Sequence, residues 1–481
     1  MRSTFPKSPP SSALAMPVAE TRPVHARLST SLTLAAMSLG YGVVQLDVTI
    51  VNTALNSIGT SLAGGVSELQ WVVSAYTIAF AAFILTAGAL GDRIGAKRIF
   101  MAGFAIFTAA SVACALAPGA ATLIAARAVQ GIGAAILVPN SLALLSHAYP
   151  DNKGRGRAVG IWAAGASVAL ISGPLIGGGL IALIGWRSIF LVNLPIGLAG
   201  LWLSWRYAAE TTRSPQREID LPGQIAAIGC LGCLAGAIIE GGALGWSHAA
   251  VIAGFVVSAL LAILFVFQER RAAQPMLPLS LFGHRLFALT SLVGLLVNVA
   301  FYGLIFVFSL YFQRVNGLSP FATGLAFLPM LGLVLPVNLV AARVAERIGA
   351  PATIAAGTAL SAFGCLALIG IEPGTGYIEI GIQLAVIGAG LGLLVPPLTS
   401  TLLGSVEKSR SGIAAGVLNS TRQTGSVLGV ALFGSLAGQT GAFMAGAHES
   451  LIISACLLIA AGAAIWLGAS GQAASTVERR R

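Results

Sequence analysis

Two side chains of opposite charge stand inside long apolar stretches of this chain: Asp47, in the first stretch, and Arg127, in the fourth. An ionised group in hydrocarbon costs about 2.5–3.5 kcal/mol on insertion scales and marks a functional position by default. Each needs a partner. Arg127 lies about seven residues into its stretch, roughly 10 Å deep at 1.5 Å per residue, and Asp47 about nine residues, roughly 13 Å, from the same surface. Asp47 is the acid set well inside the first six stretches, so equal depth and opposite charge predict an Asp47–Arg127 pair. A carboxylate that gains and loses a proton beside a fixed guanidinium is a coupling device: desolvation disfavours the bare charge and the guanidinium favours it. A third ionisable residue, Arg422, lies about eleven residues, roughly 16 Å, from the end of the thirteenth stretch. It has no obvious acidic partner, and its expected roles are to hold an anionic group or to pair with a polar helix.

These residues need helices to carry them. The chain has 481 residues, 56% hydrophobic and 9% charged, against about 25% charged in soluble domains. Fourteen apolar stretches of spanning length, roughly 20 residues each, begin at 31–56, 69–90, 98–117, 120–147, 156–183 and 189–207. A pair near 220–241 and 248–268 follows. The last six are near 286–312, 320–342, 351–371, 377–404, 411–438 and 450–468. Of the 27 Lys and Arg residues, 23 fall in alternate gaps between stretches. The other gaps hold Arg187 and Arg314. Basic residues on one side of a polytopic protein mark the cytoplasm, which predicts cytoplasmic termini and a cell membrane location (the inner membrane in a Gram-negative bacterium). The expected organisation is a disordered tail at 1–28, a six-helix bundle at 29–208, a linker and two-helix insert at 209–284, a second six-helix bundle at 285–470, and a tail at 471–481. An internal repeat supports two halves: Asp92-Arg93-Ile94-Gly95-Ala96 and Glu346-Arg347-Ile348-Gly349-Ala350 follow the second span of each bundle. Halves of this kind commonly enclose a transport site near the midplane.

Several chemistries are excluded or weak. The net charge of +11 is scattered over short loops, so it reads as orientation and contact with anionic lipid, not nucleic acid. No GxxxxGK[ST] occurs; Gly91 to Lys97 has Ala96 where the second glycine should stand. Cys230 and Cys233 read as small apolar residues one turn apart, no metal-ligand spacing is present, and no cofactor is expected. No nucleophile–base constellation points to an enzyme. Glu240 and Glu379, near outer span ends, are expected to be solvated at the interface.

The remaining motifs carry a resemblance. Gly88-Ala-Leu-Gly91-Asp92-Arg93-Ile-Gly95-Ala-Lys97-Arg98 resembles the signature loop of the major facilitator superfamily, and Leu123 to Ala135, with Arg127, Gln130, Gly131 and Gly133, resembles its fourth-span motif. Leu46-Asp47-Val-Thr49-Ile-Val-Asn52-Thr53 is similar to the first-span motif of the fourteen-span drug:proton antiporters. Trp186 to Gly197 and Asn419 to Gly425 look like further segments of that family. Span 5 carries Gly165, Ala169, Gly173 and Gly177 at four-residue spacing, with Pro174 and Gly178, and resembles the motif associated with antiporters.

The resemblance implies an all-α integral membrane protein of the major facilitator fold. It implies a proton-coupled antiporter that exports small amphipathic compounds by alternating access. Asp47 and Arg127 would couple to protons, and Gly88, Gly91, Asp92, Arg93 and Gly95 would form a gating loop that latches the halves when the cavity faces outward. At 100° per residue, Tyr41, Gln45, Thr49 and Asn52 share one polar face opposite Asp47; with Gln130 and Arg422 they are the expected substrate cavity. Phe301, Phe308 and Phe312 share a face of span 9, as an aromatic wall or as packing. Extra cavity acids found in some exporters of cationic drugs are missing here, which argues against strongly dicationic substrates. Small-molecule substrate, protons and lipid are the expected partners; the chain is expected to be a monomer, with accessory efflux proteins left open. A facilitator for a specific metabolite and a non-transporting membrane sensor are the alternatives.

Overall fold

Lipid offers no hydrogen bonds to a bare backbone, so apolar stretches of this length must close their own as helices. The computed structural model describes residues 24–214, 216, 220–407, 411–438 and 443–478, and in them fourteen long helices follow one another. They are α1 (Val24–Leu62), α2 (Val66–Ile94), α3 (Ala96–Ala115), α4 (Ala120–Ala148), α5 (Asn152–Ile184), α6 (Ser188–Tyr207) and α7 (Leu221–Leu244). The rest are α8 (Ala249–Arg271), α9 (Arg285–Val315), α10 (Pro320–Ile348), α11 (Ala350–Ala367), α12 (Tyr377–Gly404), α13 (Ser411–Ala437) and α14 (Phe443–Glu478). Thirteen are long and apolar enough to cross a membrane. The other, α13, has the length, but the run Asn419-Ser-Thr-Arg-Gln-Thr424 lowers its hydropathy.

The ends differ from the sequence expectation in two places. Helix α1 starts at Val24, inside the stretch expected to be a disordered tail, and runs six residues past the expected end at 56. Residues 1–23 lie outside the described residues, as do Arg217 and Glu218 of the linker. Helix α14 continues through Glu478 into the expected C-terminal tail, and residues 479–481 lie outside the described residues.

The two halves pack alike. In the first, α1 lies on α5 and α6, α2 and α3 lie on α4, and α3 meets α6. In the second, α9 lies on α13 and α14, α10 and α11 lie on α12, and α11 meets α14. The contacts between halves obey the same symmetry, with α2 against α13 and α10 against α5. The repeated loop sequences have matching backbones: Gly95 (φ 116°, ψ 128°) ends α2 and Gly349 (φ 87°, ψ 150°) ends α10, each donating its N–H to the carbonyl four residues back. A positive φ at a helix C-terminus is cheap for glycine alone. This is why the repeat retains it.

The pair α7–α8 sits beside α2 and α13. Helix α8 turns Ile252, Val256, Leu260, Ile263 and Phe267 outward. An exposed row of that kind on a helix of spanning length is a lipid-facing surface. Helix α7 is bonded to α2 near both ends. Gln224 donates to the Ala82 carbonyl at 3.0 Å and accepts from the Thr86 hydroxyl. Glu240 accepts from Trp71 Nε1 at 3.0 Å and Ser67 Oγ at 3.1 Å. Glu240, expected to be solvated, is thus held by two donors on α2.

Candidate functional site

Asp47 and Arg127 are brought together in the first half. Both are buried, at 0% and 1% exposure. Arg127 Nη1 donates to Asp47 Oδ2 at 2.5 Å and to Gln130 Oε1 at 2.7 Å, and its Nε donates to the Val72 carbonyl at 3.1 Å. The guanidinium lies 4.2 Å from the centre of the Tyr76 ring, whose face attracts a cation. Asp47 Oδ1 accepts from Gln130 Nε2 at 2.8 Å and Asn193 Nδ2 at 3.1 Å. Ser111 Oγ accepts from the same two amides, at 2.8 Å and 3.2 Å. Five helices, α1, α2, α3, α4 and α6, therefore contribute to one polar cluster around this carboxylate.

Every donor facing Asp47 is an N–H, which suits an ionised carboxylate that only accepts. A proton on either oxygen would point an O–H at an N–H and force one contact apart. Gln130 was expected in the substrate cavity; it stands instead in this cluster, because it lies one helical turn from Arg127 on α4 and shares its face. Asn193 and Ser111 were not foreseen as site residues. Asn193 was visible as a polar residue just inside an apolar span, but the helix it would meet was not.

A cavity of about 1050 Å³ opens at the end of the molecule that bears the basic loops. Its walls are the corresponding halves of α2, α4, α5 and α13, among them Ile84, Asp92, Pro139, Trp162, Gly416 and Asn419. The linkers around the helix pair reach its mouth through Gln216, Asp220, Gln274 and Met276. Tyr41 stacks on the lining Trp162, with ring centres 4.2 Å apart and planes 18° from parallel. Arg422 follows Asn419 by one turn of α13 and donates to Thr399 Oγ1 at 2.8 Å. Tyr41 and Tyr302 lie within its electrostatic reach.

The opposite end is closed. Gln70 Nε2 of α2 donates to the Val430 and Ala431 carbonyls of α13, at 3.0 and 2.7 Å. The Ser309 hydroxyl donates to the Asn52 carbonyl. Gly178 lies so close to α10 that an added Cβ would meet the Pro320 carbonyl at 2.5 Å and Phe321 Cα at 2.6 Å. Gly173 and Gly177 bring α5 onto Thr49, Ile50 and Thr53 of α1, while Gly165 leaves room. Thr49 and Asn52, expected to line the cavity, are sealed in this closed end at 1% and 4% exposure. Gln45 is half-buried.

A family model described as Major Facilitator Superfamily matches residues 37–430. The chain belongs to the Major Facilitator Superfamily. It is 36% identical over 433 residues to a methylenomycin A resistance protein of Streptomyces coelicolor, covering 90% of this chain and 91% of that one. It is 39% identical over 405 residues to multidrug resistance protein Stp of Mycobacterium tuberculosis, covering 84% and 75%. The fold superposes on a crystal structure of a POT family transporter with a TM-score of 0.69 at 14% identity, covering 91% of this chain and 96% of that one.

In this facilitator the loop after α2 is held by the segment after α6. Glu210 accepts from the backbone N–H of Lys97 at 2.9 Å and of Arg98 at 3.3 Å, capping α3. Thr211 Oγ1 accepts from the Ala96 N–H at 3.0 Å, and the Ser214 N–H donates to the Asp92 carbonyl at 2.7 Å. Asp92 lines the cavity mouth, Gly91 packs on Asn140 of α4, and Gly88 on Pro139; Arg93 is exposed. Phe308 and Phe312 pack into the core of the second half with Tyr311 and Phe327. They form no wall of the cavity.

Proposed function

We propose that this facilitator is a proton-coupled antiporter that exports small amphipathic compounds across the cell membrane. The observation that carries the reading is the buried Asp47–Arg127 pair, enclosed by Gln130, Asn193 and Ser111. The positive-inside pattern makes the basic face cytoplasmic, so the cavity of this state faces inward. Resistance proteins for antibiotics among the relatives support export.

The cycle follows from charge. With the cavity inward, Asp47 is ionised and holds Arg127, and substrate enters from the cytoplasm. Rocking of 29–208 against 285–470 opens the α2–α13 and α5–α10 contacts at the outer end; the 209–284 insert accompanies them. Asp92 and the α2–α3 loop then latch the cytoplasmic side. Outside, a proton neutralises Asp47 and parts it from Arg127, which loosens the junction of α1, α4 and α6 and favours return after the substrate has left. The stripe Gly173, Pro174, Gly177 and Gly178 supplies the surface on which α5 re-closes. Each charge moved through the membrane potential is worth about 2.3 kcal/mol per 100 mV, so one proton sustains a substantial substrate gradient.

In everted vesicles, an acid interior should drive uptake by the native chain. Asp47→Asn should insert normally and lose this proton-driven uptake. Native-rate uptake by that variant would defeat the proposal.

A further inference from the structure

Arg127 and Arg422 stand well inside their helices, and their surroundings differ. Arg127 is enclosed by a carboxylate, a backbone carbonyl, an amide oxygen and an aromatic face. Arg422 is half-buried, and its hydrogen bond is to the neutral hydroxyl of Thr399. No carboxylate among the described residues pairs with it. A guanidinium carries five N–H donors in a planar fork. Most of that fork is uncommitted, and a charge at such depth marks a functional position by default.

The position of this cation gives it a ligand. Arg422 stands one turn beyond Asn419, which lines the inner end of the cavity. Tyr41 stacks on the lining Trp162, and Tyr302 packs beside it at the junction of the halves. The carboxylates lining the cavity are Asp92 and Asp220, both at its mouth on the basic face. Trp162 and Asn419 belong to the cavity wall, whereas Arg422, Tyr41 and Tyr302 do not line it. Tyr41 stacks on Trp162 and Arg422 is one turn from Asn419, so a ligand that shifts this deep wall reaches one cation and aromatic rings, with the acids behind it.

We infer that Arg422 is an anion subsite, and that the substrates favoured here are small planar amphipathic compounds bearing one carboxylate. The fork binds the carboxylate in the two-bond geometry that matches it, and Tyr41, Trp162 and Tyr302 take the ring. The inference rests on the transport reading above and narrows its substrate class. It has an electrical consequence. Exchange of one entering proton for one leaving carboxylate moves two charges per cycle. A neutral substrate moves one. Each charge is worth roughly 50-fold in the equilibrium gradient per 100 mV.

The test uses 2-naphthoate and its uncharged counterpart 2-naphthamide, with equilibrium dialysis against the full chain in nanodiscs and uptake into everted vesicles. The native chain should bind the acid at least about 10-fold more tightly than the amide. Arg422→Gln should bring that ratio to about 1 through loss of acid binding. Arg422→Lys, which keeps the charge without the fork, should retain part of the preference and guards against a misfolded Gln variant. Equal binding of the two probes by the native chain, or a ratio that survives Arg422→Gln, overturns the subsite. The two readings fail separately. A preference for the acid without proton-driven movement of either probe removes antiport and leaves the subsite. Proton-driven movement of both probes at equal affinity does the reverse.

Discussion

Asn193 Nδ2 lies 3.1 Å from Asp47 Oδ1, while the oxygen of the same amide is buried with no donor. The amide donates its N–H to the carboxylate and holds an acceptor in reserve. A half-turn of that amide would offer the acceptor to a protonated Asp47. Replacing Asn193 by Asp is close to isosteric and sets a second carboxylate against the first, which disfavours charge on both. We expect the external pH for half-maximal exchange to rise in Asn193→Asp, measured as uptake against vesicle-interior pH. A profile that stays put or moves to more acidic pH contradicts this role.

Breaking the pair from one side should cost more than removing it. Arg127→Met leaves an uncompensated buried charge, and such changes typically lose about 3–5 kcal/mol. Adding Asp47→Asn removes the stranded charge. The double variant should recover at least half of the loss in denaturant or thermal unfolding in detergent. Additive losses would mean that the two residues do not share one electrostatic account.

The close approach of α5 and α10 belongs to the state whose cavity opens at the basic end. A side chain at Gly178 would overlap the backbone of Pro320 and Phe321. Gly178→Val should therefore hold the outer end apart. Cysteines placed at Asn52 or Ser309, sealed at that end in this state, should become labelled from outside several-fold faster in the variant. Unchanged labelling would show that the outer end tolerates the added volume.

Glu240 distinguishes anchoring from proton carriage. Glu240→Gln keeps a carbonyl oxygen for Trp71 and Ser67, and transport should be near native. Glu240→Leu leaves the Trp71 N–H without its acceptor, at about 1–3 kcal/mol, which should lower the unfolding temperature in detergent. Loss of coupling in Glu240→Gln would instead make it a second protonation site.

The parts of the fold set by local composition could be read from the chain. Apolar run lengths and the alternation of Lys and Arg mark the helices, and a repeated acid-Arg-Ile-Gly-Ala marks the two halves. The Asp47–Arg127 contact was readable from depth and charge, although α1 runs past the surface assumed in that reckoning. What was hidden depends on which faces of distant helices meet. Asn193 and Ser111 become site residues because α3 and α6 converge on α1. Glu240 finds its donors on α2, and Glu210 finds the start of α3, for the same reason. Periodicity placed Thr49 and Asn52 on the face with Tyr41, but it could not say which level of that face a single conformation would seal.

The strap from Glu210 to Ser214 gives the insert a mechanical allegiance. Because that strap is fastened to the α2–α3 turn, and α7 is pinned to α2 at both extremities, whatever tilts the leading bundle must tow the lipid-facing pair along with it. In the proposed rocking, sliding then concentrates along the α7–α13 seam, where Gly242 abuts Ser435.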